Sequence, residues 1–130
     1  NAFDAQYAWE GHHILNEIAK GKMTVKNLDA YMQKIDTVLQ PDDIYMNFVT
    51  NHDENSWNGT IQERMGNASE AMTALTYVMQ GIPLIYSGQE YVLNHRLKFF
   101  EKDSITKNTG LECDLLNKLG KLNTENPALA

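Results

Sequence analysis

The chain has little of several features that would identify its class at once. Its 130 residues include a single cysteine, Cys113, so no disulfide can form within the chain. No apolar run approaches the roughly 18 residues that a membrane-spanning helix requires. Acidic residues outnumber basic ones, giving a net charge of -6, and no basic cluster is present. We therefore expect neither a membrane protein nor a nucleic-acid-binding protein, and the cellular compartment stays open.

Hydrophobic periodicity predicts an alternation of strands and helices. Strands are predicted over residues 2–8, 44–50 and 82–86, and helices over 9–19, 25–39, 62–80 and 111–123. Thr24 is the expected N-cap of the second helix. This alternation indicates an α/β fold with a parallel sheet, either doubly wound or closed into a barrel.

Polar residues directly follow the second predicted strand. The stretch FVTNHDENSW, residues 48–57, places His52 and Asp53 just beyond it, and parallel sheets bind ligands at the carboxyl ends of their strands. Asp53 fits a catalytic or sugar-binding carboxylate, although the spacing alone favours an Asx turn or a helix cap. His52 fits a donor to a substrate hydroxyl or a structural histidine. Trp57 and Tyr86 fit either sugar-stacking residues or core residues.

Other chemistries lack the residue spacing that they need. The possible metal ligands are His12, His13, His52, Asp53 and Glu54. Consecutive histidines on a helix diverge by about 100°, and no HExxH or paired Cys/His spacing occurs, so we expect no metal site. Neither Ser87 nor Cys113 lies in a GxSxG-like context, which argues against a serine or cysteine nucleophile.

Two motifs, taken in order, resemble one enzyme family. FVTNHDENSW and the later GIPLIYSGQE are similar to the last two strand motifs of the α-amylase family, glycoside hydrolase family 13. The residues that fill the two patterns are Phe48, Asn51, His52, Asp53, Gly81, Pro83, Ile85, Tyr86, Gly88 and Glu90. The closing stretch LLNKLGKLNTENPAL is similar to the family's eighth helix. The resemblance implies a partial (β/α)8 TIM barrel, with three βα units matching units six to eight, so residues 1–130 would be the C-terminal portion of an incomplete catalytic domain.

The resemblance also implies roles for single residues. Asp53 would be the family's third carboxylate, which binds hydroxyls of the sugar at the cleavage site and stabilises the oxocarbenium-like transition state. His52 would hydrogen-bond the same sugar. Asn51 and Glu90 would support the substrate-binding site, and the aromatic side chains of Trp57 and Tyr86 would contact substrate.

Two catalytic carboxylates of the family have no counterpart here. The nucleophile and the acid/base come from strands four and five of the family's barrel, and neither Arg64 nor Arg96 lies two residues before an Asp, as the nucleophile motif requires. We therefore interpret the chain as part of a retaining, α-amylase-like glycoside hydrolase or transglycosylase, inactive by itself. The alternative is a non-catalytic carbohydrate-binding or structural module that retains the barrel motifs.

The expected partners follow from the same resemblance. The substrate would be an α-glucan or an oligosaccharide, with no cofactor in this chain and with calcium possible in the parent enzyme. A barrel that lacks most of its units leaves strand edges unpaired. We therefore expect the chain to self-associate or to need the missing half of its barrel.

Overall fold

A computed structural model describes residues 4–40, 42–108 and 111–129. Within these residues the sheet has three parallel strands, β1 (Ala5–Tyr7), β2 (Ile44–Asn47) and β3 (Ile82–Pro83), in the order β1-β2-β3. Ala5 lies opposite Ile44, and Met46 lies opposite Ile82. The α/β class and the parallel pairing are thus confirmed, and adjacent parallel strands in chain order are consistent with a partial barrel.

Five α-helices lie between and after the strands of the described residues. They are α1 (Trp9–Ala19), α2 (Val25–Val38), α3 (Ile61–Met65), α4 (Ser69–Val78) and α5 (Leu111–Glu125). The first begins and ends where predicted. Thr24 is the N-cap of α2, as predicted, and its backbone N–H donates to Asn27 Oδ1 at 3.0 Å. None of the helices in the described part of the chain is long and apolar enough to cross a membrane.

The prediction of one continuous helix over 62–80 is wrong. Gly66 has φ of +51° and ψ of -130°, which ends α3, and a 3₁₀ turn over Gly66–Ala68 then leads into α4. Glycine adopts this backbone conformation without the steric penalty that a side chain would impose. The hydrophobic period continues across the break, so the apolar pattern alone does not reveal it.

The strands are shorter than predicted. β2 ends at Asn47 instead of residue 50, and the chain then enters a buried irregular segment. β3 has two residues instead of five, and one further backbone hydrogen bond, from the Leu84 N–H to the Asn47 carbonyl at 2.8 Å, follows it. In the first predicted strand, residues 2 and 3 lie outside the described residues.

The main core lies among the first four helices and the segment that follows β2. Its buried members are Ile14, Leu15, Leu28, Tyr31, Ile35, Val49, Met65, Met72 and Met79. A second cluster, formed by Tyr77, Leu116 and Leu119, joins α5 to α4. Four apolar residues of the predicted helices lie at the surface instead of in the core: Val25, Val38, Val78 and Leu122. The core thus packs beneath the segment that carries the candidate site.

Candidate functional site

His52 and Asp53 lie together just beyond β2, as predicted. Phe48 and Val49 are buried and anchor the segment in the interior. The chain then turns into a helical conformation at Asp53, with φ of -70° and ψ of -51°. His52 Nε2 lies 3.6 Å from Asp53 Oδ2, and the two side chains are 54% and 44% exposed. Both side chains are therefore accessible to a ligand from the same side of the loop.

Asn51 supports the turn that presents this pair. Its Oδ1 accepts a hydrogen bond from the Glu54 backbone N–H at 2.8 Å, although the residue itself is buried. Its Nδ2 is also buried and, among the described residues, has no hydrogen-bond partner. The bond through Oδ1 closes an Asx-type turn around His52 and Asp53. This geometry fits a supporting role for Asn51.

Glu54 is directed inward, away from the exposed pair. Its carboxylate lies 3.0 Å from His12 Nε2 and 3.6 Å from Arg64 Nη1, and it accepts a hydrogen bond from Asn58 Nδ2 at 2.8 Å. Consecutive residues Asp53 and Glu54 therefore have opposite environments. One carboxylate reaches solvent, and the other is buried in a cluster of hydrogen-bond donors.

Arg64, in α3, holds both ends of the loop that carries the pair. Its Nη2 donates to the Val49 carbonyl at 2.8 Å, and its Nε donates to the Gly59 carbonyl at 3.0 Å. A third bond, from Nη1 to Asn16 Oδ1 at 2.8 Å, connects the guanidinium to α1. Because the five N–H groups of arginine form a rigid fork, this one side chain fixes the spacing between residues 49 and 59.

His12 completes the buried cluster from α1. Its ring stacks on Phe48 with the centroids 4.4 Å apart, and its Nδ1 lies 3.2 Å from the Phe48 carbonyl oxygen. We name the buried cluster of His12, Asn16, Glu54 and Arg64 the loop clamp. No pattern in the sequence predicts this cluster. Asn16 and Arg64 are 48 positions apart, and no motif connects them.

The protonation states in the loop clamp follow from burial and hydrogen bonding. Burial acts to raise the pKa of Glu54, but hydrogen bonds from His12 and Asn58 outweigh it, so the pKa is lowered. Burial lowers the pKa of His12 below its ordinary value, with Glu54 opposing that shift. Burial also lowers the pKa of Arg64, which the charge of Glu54 partly offsets. The shifts favour an ionised Glu54 beside a neutral His12 at neutral pH.

Trp57 follows on the same segment and is exposed. Its ring centroid lies 5.3 Å from that of Phe99, and the Phe99 centroid lies 5.8 Å from that of His52. Trp57, which is predicted to contact substrate, therefore lies near the exposed pair, because Trp57 and His52 both contact Phe99. Phe99 was not among the predicted site residues, although its position in an aromatic pair within a polar loop was a usable signal.

The two candidates that follow β3 are Tyr86 and Glu90. Tyr86 lines a cavity of about 20 Å³ with Thr50 and Asn55, and burial raises its pKa. Glu90 Oε2 accepts a hydrogen bond from the Gly88 backbone N–H at 2.8 Å. Within the described residues, no hydrogen bond, ion pair or ring contact joins Tyr86 or Glu90 to His52 or Asp53. Their substrate-binding roles stay predictions.

In the part of the chain that the structure describes, no three His, Cys, Asp or Glu side chains come together in a way that could hold a metal ion. Among the described ion pairs, His12 faces the Glu54 carboxylate and His52 faces the Asp53 carboxylate. One carboxylate at each position supplies fewer than the six to eight oxygens that Ca²⁺ takes.

Two solved α-amylases share this fold. The crystal structure of an α-amylase from Lactobacillus plantarum matches 99% of this chain with a TM-score of 0.82 and 26% sequence identity. That of a noncanonic maltogenic α-amylase, AmyB from Thermotoga neapolitana, matches 98% with a TM-score of 0.76 and 21% identity. The chain spans 31% and 30% of the lengths of these two proteins. No protein-family model and no curated protein matches the chain. The resemblance to α-amylases read from the two motifs is confirmed by structural neighbours.

Proposed function

We propose that the chain is the C-terminal part of the catalytic barrel of a retaining α-glucan-acting glycoside hydrolase of the α-amylase family. The observation that carries the proposal is the exposed His52–Asp53 pair at the end of β2, within a fold shared with two α-amylases. In a TIM barrel the carboxyl ends of the strands form the active-site face. The proposed site is therefore at the strand end where enzymes of this architecture have their active sites.

The proposed roles follow from the chemistry of glycoside hydrolysis. Positive charge develops on the sugar in the oxocarbenium-like transition state, and the Asp53 carboxylate stabilises it while accepting hydrogen bonds from sugar hydroxyls. His52 donates to a hydroxyl of the same sugar. Because such contacts strengthen as the transition state forms, they accelerate the reaction more than they tighten substrate binding.

The other carboxylates lie elsewhere in the proposed parent protein. A retaining enzyme needs a nucleophile and an acid/base about 5–5.5 Å apart, and the loop clamp already engages Glu54, the carboxylate next to Asp53. We assign the nucleophile and the acid/base to further residues of the parent. We propose no cofactor for this chain, and calcium in the parent enzyme stays a prediction.

The test is Asp53→Asn in the intact protein that carries this sequence. We expect kcat on soluble starch to fall roughly 10²–10³-fold with a smaller change in KM, since several kcal/mol of transition-state stabilisation are removed. Asp29→Asn, on the exposed face of α2, is the matched control and should leave both constants unchanged. A kcat near that of the wild type in the Asp53 variant would contradict the proposal, as would starch hydrolysis by the 130-residue chain alone.

A non-catalytic carbohydrate-binding module is the second candidate. The exposed aromatic group around Trp57 favours it, because such a surface binds sugar without any nucleophile. The two candidates differ in one measurement. An intact protein that binds soluble starch and releases no reducing sugar would be a binding module, whereas turnover that depends on Asp53 would make it an enzyme.

A further inference from the structure

Residues 94–97 belong to a long irregular stretch and are held by the loop that carries the candidate site. Between residues 92 and 108 the chain has neither helix nor strand. Backbone N–H and C=O groups in such a stretch need partners other than those of a helix or a sheet. Each of the four residues 94–97 has a polar contact with a residue of the segment 55–63. We call residues 94–97 the tethered segment.

Asn55 makes the buried contacts with the tethered segment. Its Oδ1 accepts a hydrogen bond from the Leu97 N–H at 2.7 Å, and its Nδ2 donates to the His95 carbonyl at 3.2 Å. The side-chain amide therefore bonds to two backbone groups of one strand-like stretch, as a residue of a neighbouring parallel strand does. Asn55 is 3% exposed, so the loss of either bond would leave a buried polar atom without a partner.

The other contacts of the tethered segment lie nearer the surface. Ser56 Oγ, next to Asn55, donates to the Leu97 carbonyl at 2.7 Å. Arg96 pairs with Glu63 where both side chains are half exposed, and exposed ion pairs add little stability. Asn55, with support from Ser56, is therefore the residue that fixes the tethered segment.

The tethered segment leads directly to Phe99, which contacts His52. The two ring centroids lie 5.8 Å apart, and the ring planes are inclined by 31°. The Lys98 N–H donates to Asp103 Oδ2 at 3.0 Å, and this bond closes the turn that carries Phe99. The His52 side chain is 54% exposed, so its contacts with Phe99 and Asp53 limit the orientations that its ring can take.

We propose that Asn55 is a positioning residue for the reaction of the candidate site: through the tethered segment it holds Phe99 against His52 and so keeps the imidazole in place beside Asp53. Asn55 itself contacts neither the substrate nor the reacting atoms in this role. A hydrogen-bond donor that is displaced by about 1 Å loses much of its catalytic effect, so a fault in Asn55 reaches the reaction through His52. The inference deepens the proposed function and rests on it, because the hydroxyl contact of His52 is part of that function.

The first test follows the His52 ring by NMR in the intact protein that carries this sequence. Histidine is labelled with ¹³C, and His52→Gln identifies the His52 signal. Phe99→Leu should shift this signal, because the ring current of Phe99 is lost. Asn55→Asp keeps the acceptor for the Leu97 N–H but places a carboxylate oxygen where a donor now lies 3.2 Å from the His95 carbonyl oxygen. It should shift the His52 signal in the same direction as Phe99→Leu, whereas Asn117→Asp, at an exposed position on α5, should leave it unchanged.

The second test is a double-mutant cycle on kcat with soluble starch. Asn55→Asp and Phe99→Leu should each lower kcat about tenfold with a smaller change in KM. Because both substitutions act on His52 by one route, the double variant should also lose about tenfold instead of about a hundredfold. Asn117→Asp is again the matched control and should keep both constants. Circular dichroism verifies that each variant is folded.

The outcomes separate this inference from the proposed function. A His52 signal that Phe99→Leu or Asn55→Asp leaves in place would overturn the positioning role, as would kcat losses that multiply in the double variant. If Asn55→Asp does not fold, Ser56→Ala removes one bond to the tethered segment and should shift the His52 signal in the same direction; an unchanged signal there would also overturn the role. A protein that does not hydrolyse starch would contradict the proposed function, whereas the His52 signal tests the positioning role without turnover.

Discussion

The residues that present the candidate pair are more deeply buried than the pair itself. Arg64 bonds to the carbonyls of Val49 and Gly59, which flank the exposed loop, and its partner Glu54 directly follows Asp53. A shift at either carbonyl would move the exposed carboxylate. The loop clamp therefore makes the position of Asp53 depend on α1 and α3 as well as on β2.

Replacing Arg64 tests this dependence. Arg64→Met removes three hydrogen bonds and leaves the Glu54 carboxylate buried without its cation, so we expect the free energy of unfolding to fall by about 3–5 kcal/mol. Arg96→Met is the matched control, because Arg96 pairs with Glu63 where both side chains are half exposed. The control should lose much less stability, since water replaces that pair. Urea denaturation compares the two, and equal losses would contradict the clamp.

Acidification should weaken the same cluster. The pKa of His12 is lowered mainly by burial, so the unfolded chain takes up a proton near pH 6.5 while the folded chain resists it. The free energy of unfolding should therefore fall as pH drops below about 6.5. The lowered pKa of Glu54 acts in the same direction below its ordinary value of 4.5. His12→Gln should flatten the slope between pH 6.5 and 5, measured from urea midpoints, and an unchanged slope would exclude His12 as its source.

What the sequence predicts about single residues depends on how far apart the partners lie. His52 and Asp53 were found because a local motif places them at a strand end. The contact of Arg64 with Asn16 joins residues 48 positions apart. In the sequence, nothing around Arg64 indicates that it has a partner in α1. Long-range polar contacts of this kind have no periodicity that would reveal them.

At the scale of elements, the helix boundaries that carry chemical signals were the ones predicted well. The second helix has Thr24 at its cap, and α1 ends just before Gly21, whose φ is +71°. The break at Gly66 was missed because Met65, Met72 and Met79 keep a seven-residue spacing and all reach the core. The spacing of apolar residues predicts which side chains are buried, but it does not show whether the helical backbone is continuous between them.

Gly81, directly before β3, has no room for a side chain. Its φ is +114°, and an added Cβ would overlap the Tyr45 carbonyl oxygen in β2. We expect Gly81→Ala to lower the free energy of unfolding by at least about 1–3 kcal/mol and to disturb the β2–β3 pairing. Gly120→Ala, within α5 with open space around it, should be neutral or stabilising by about 0.5–1 kcal/mol. Thermal unfolding of both variants is the measurement, and a harmless Gly81→Ala would contradict the close approach of Gly81 to β2.

At the scale of the whole molecule, the described sheet leaves strand edges unpaired. Within the described residues β1 and β3 each pair only with β2, so each has one unpaired edge. All three residues of β1 are exposed, and Ile82 and Ile85 also lie at the surface at and after β3. Three parallel strands in chain order were predicted and are confirmed, whereas their match to barrel units six to eight stays a prediction. In the parent protein proposed above, other residues would encode the neighbours that cover these edges, and no pattern within the chain describes them.

The open edges predict self-association of the 130-residue chain. An unpaired strand edge exposes backbone N–H and C=O groups that recruit another strand, and no charged side chain lies in the IPLIY run that follows Gly81 to oppose this. We expect multi-angle light scattering to report dimers or larger assemblies. Ile82→Lys places a charge on β3 and should shift the population toward monomer, whereas Val38→Lys, at an exposed position on α2, should not. A monodisperse wild-type monomer with a sharp cooperative melt would show that the chain satisfies its own edges, which would remove the physical reason for assigning it to a larger barrel.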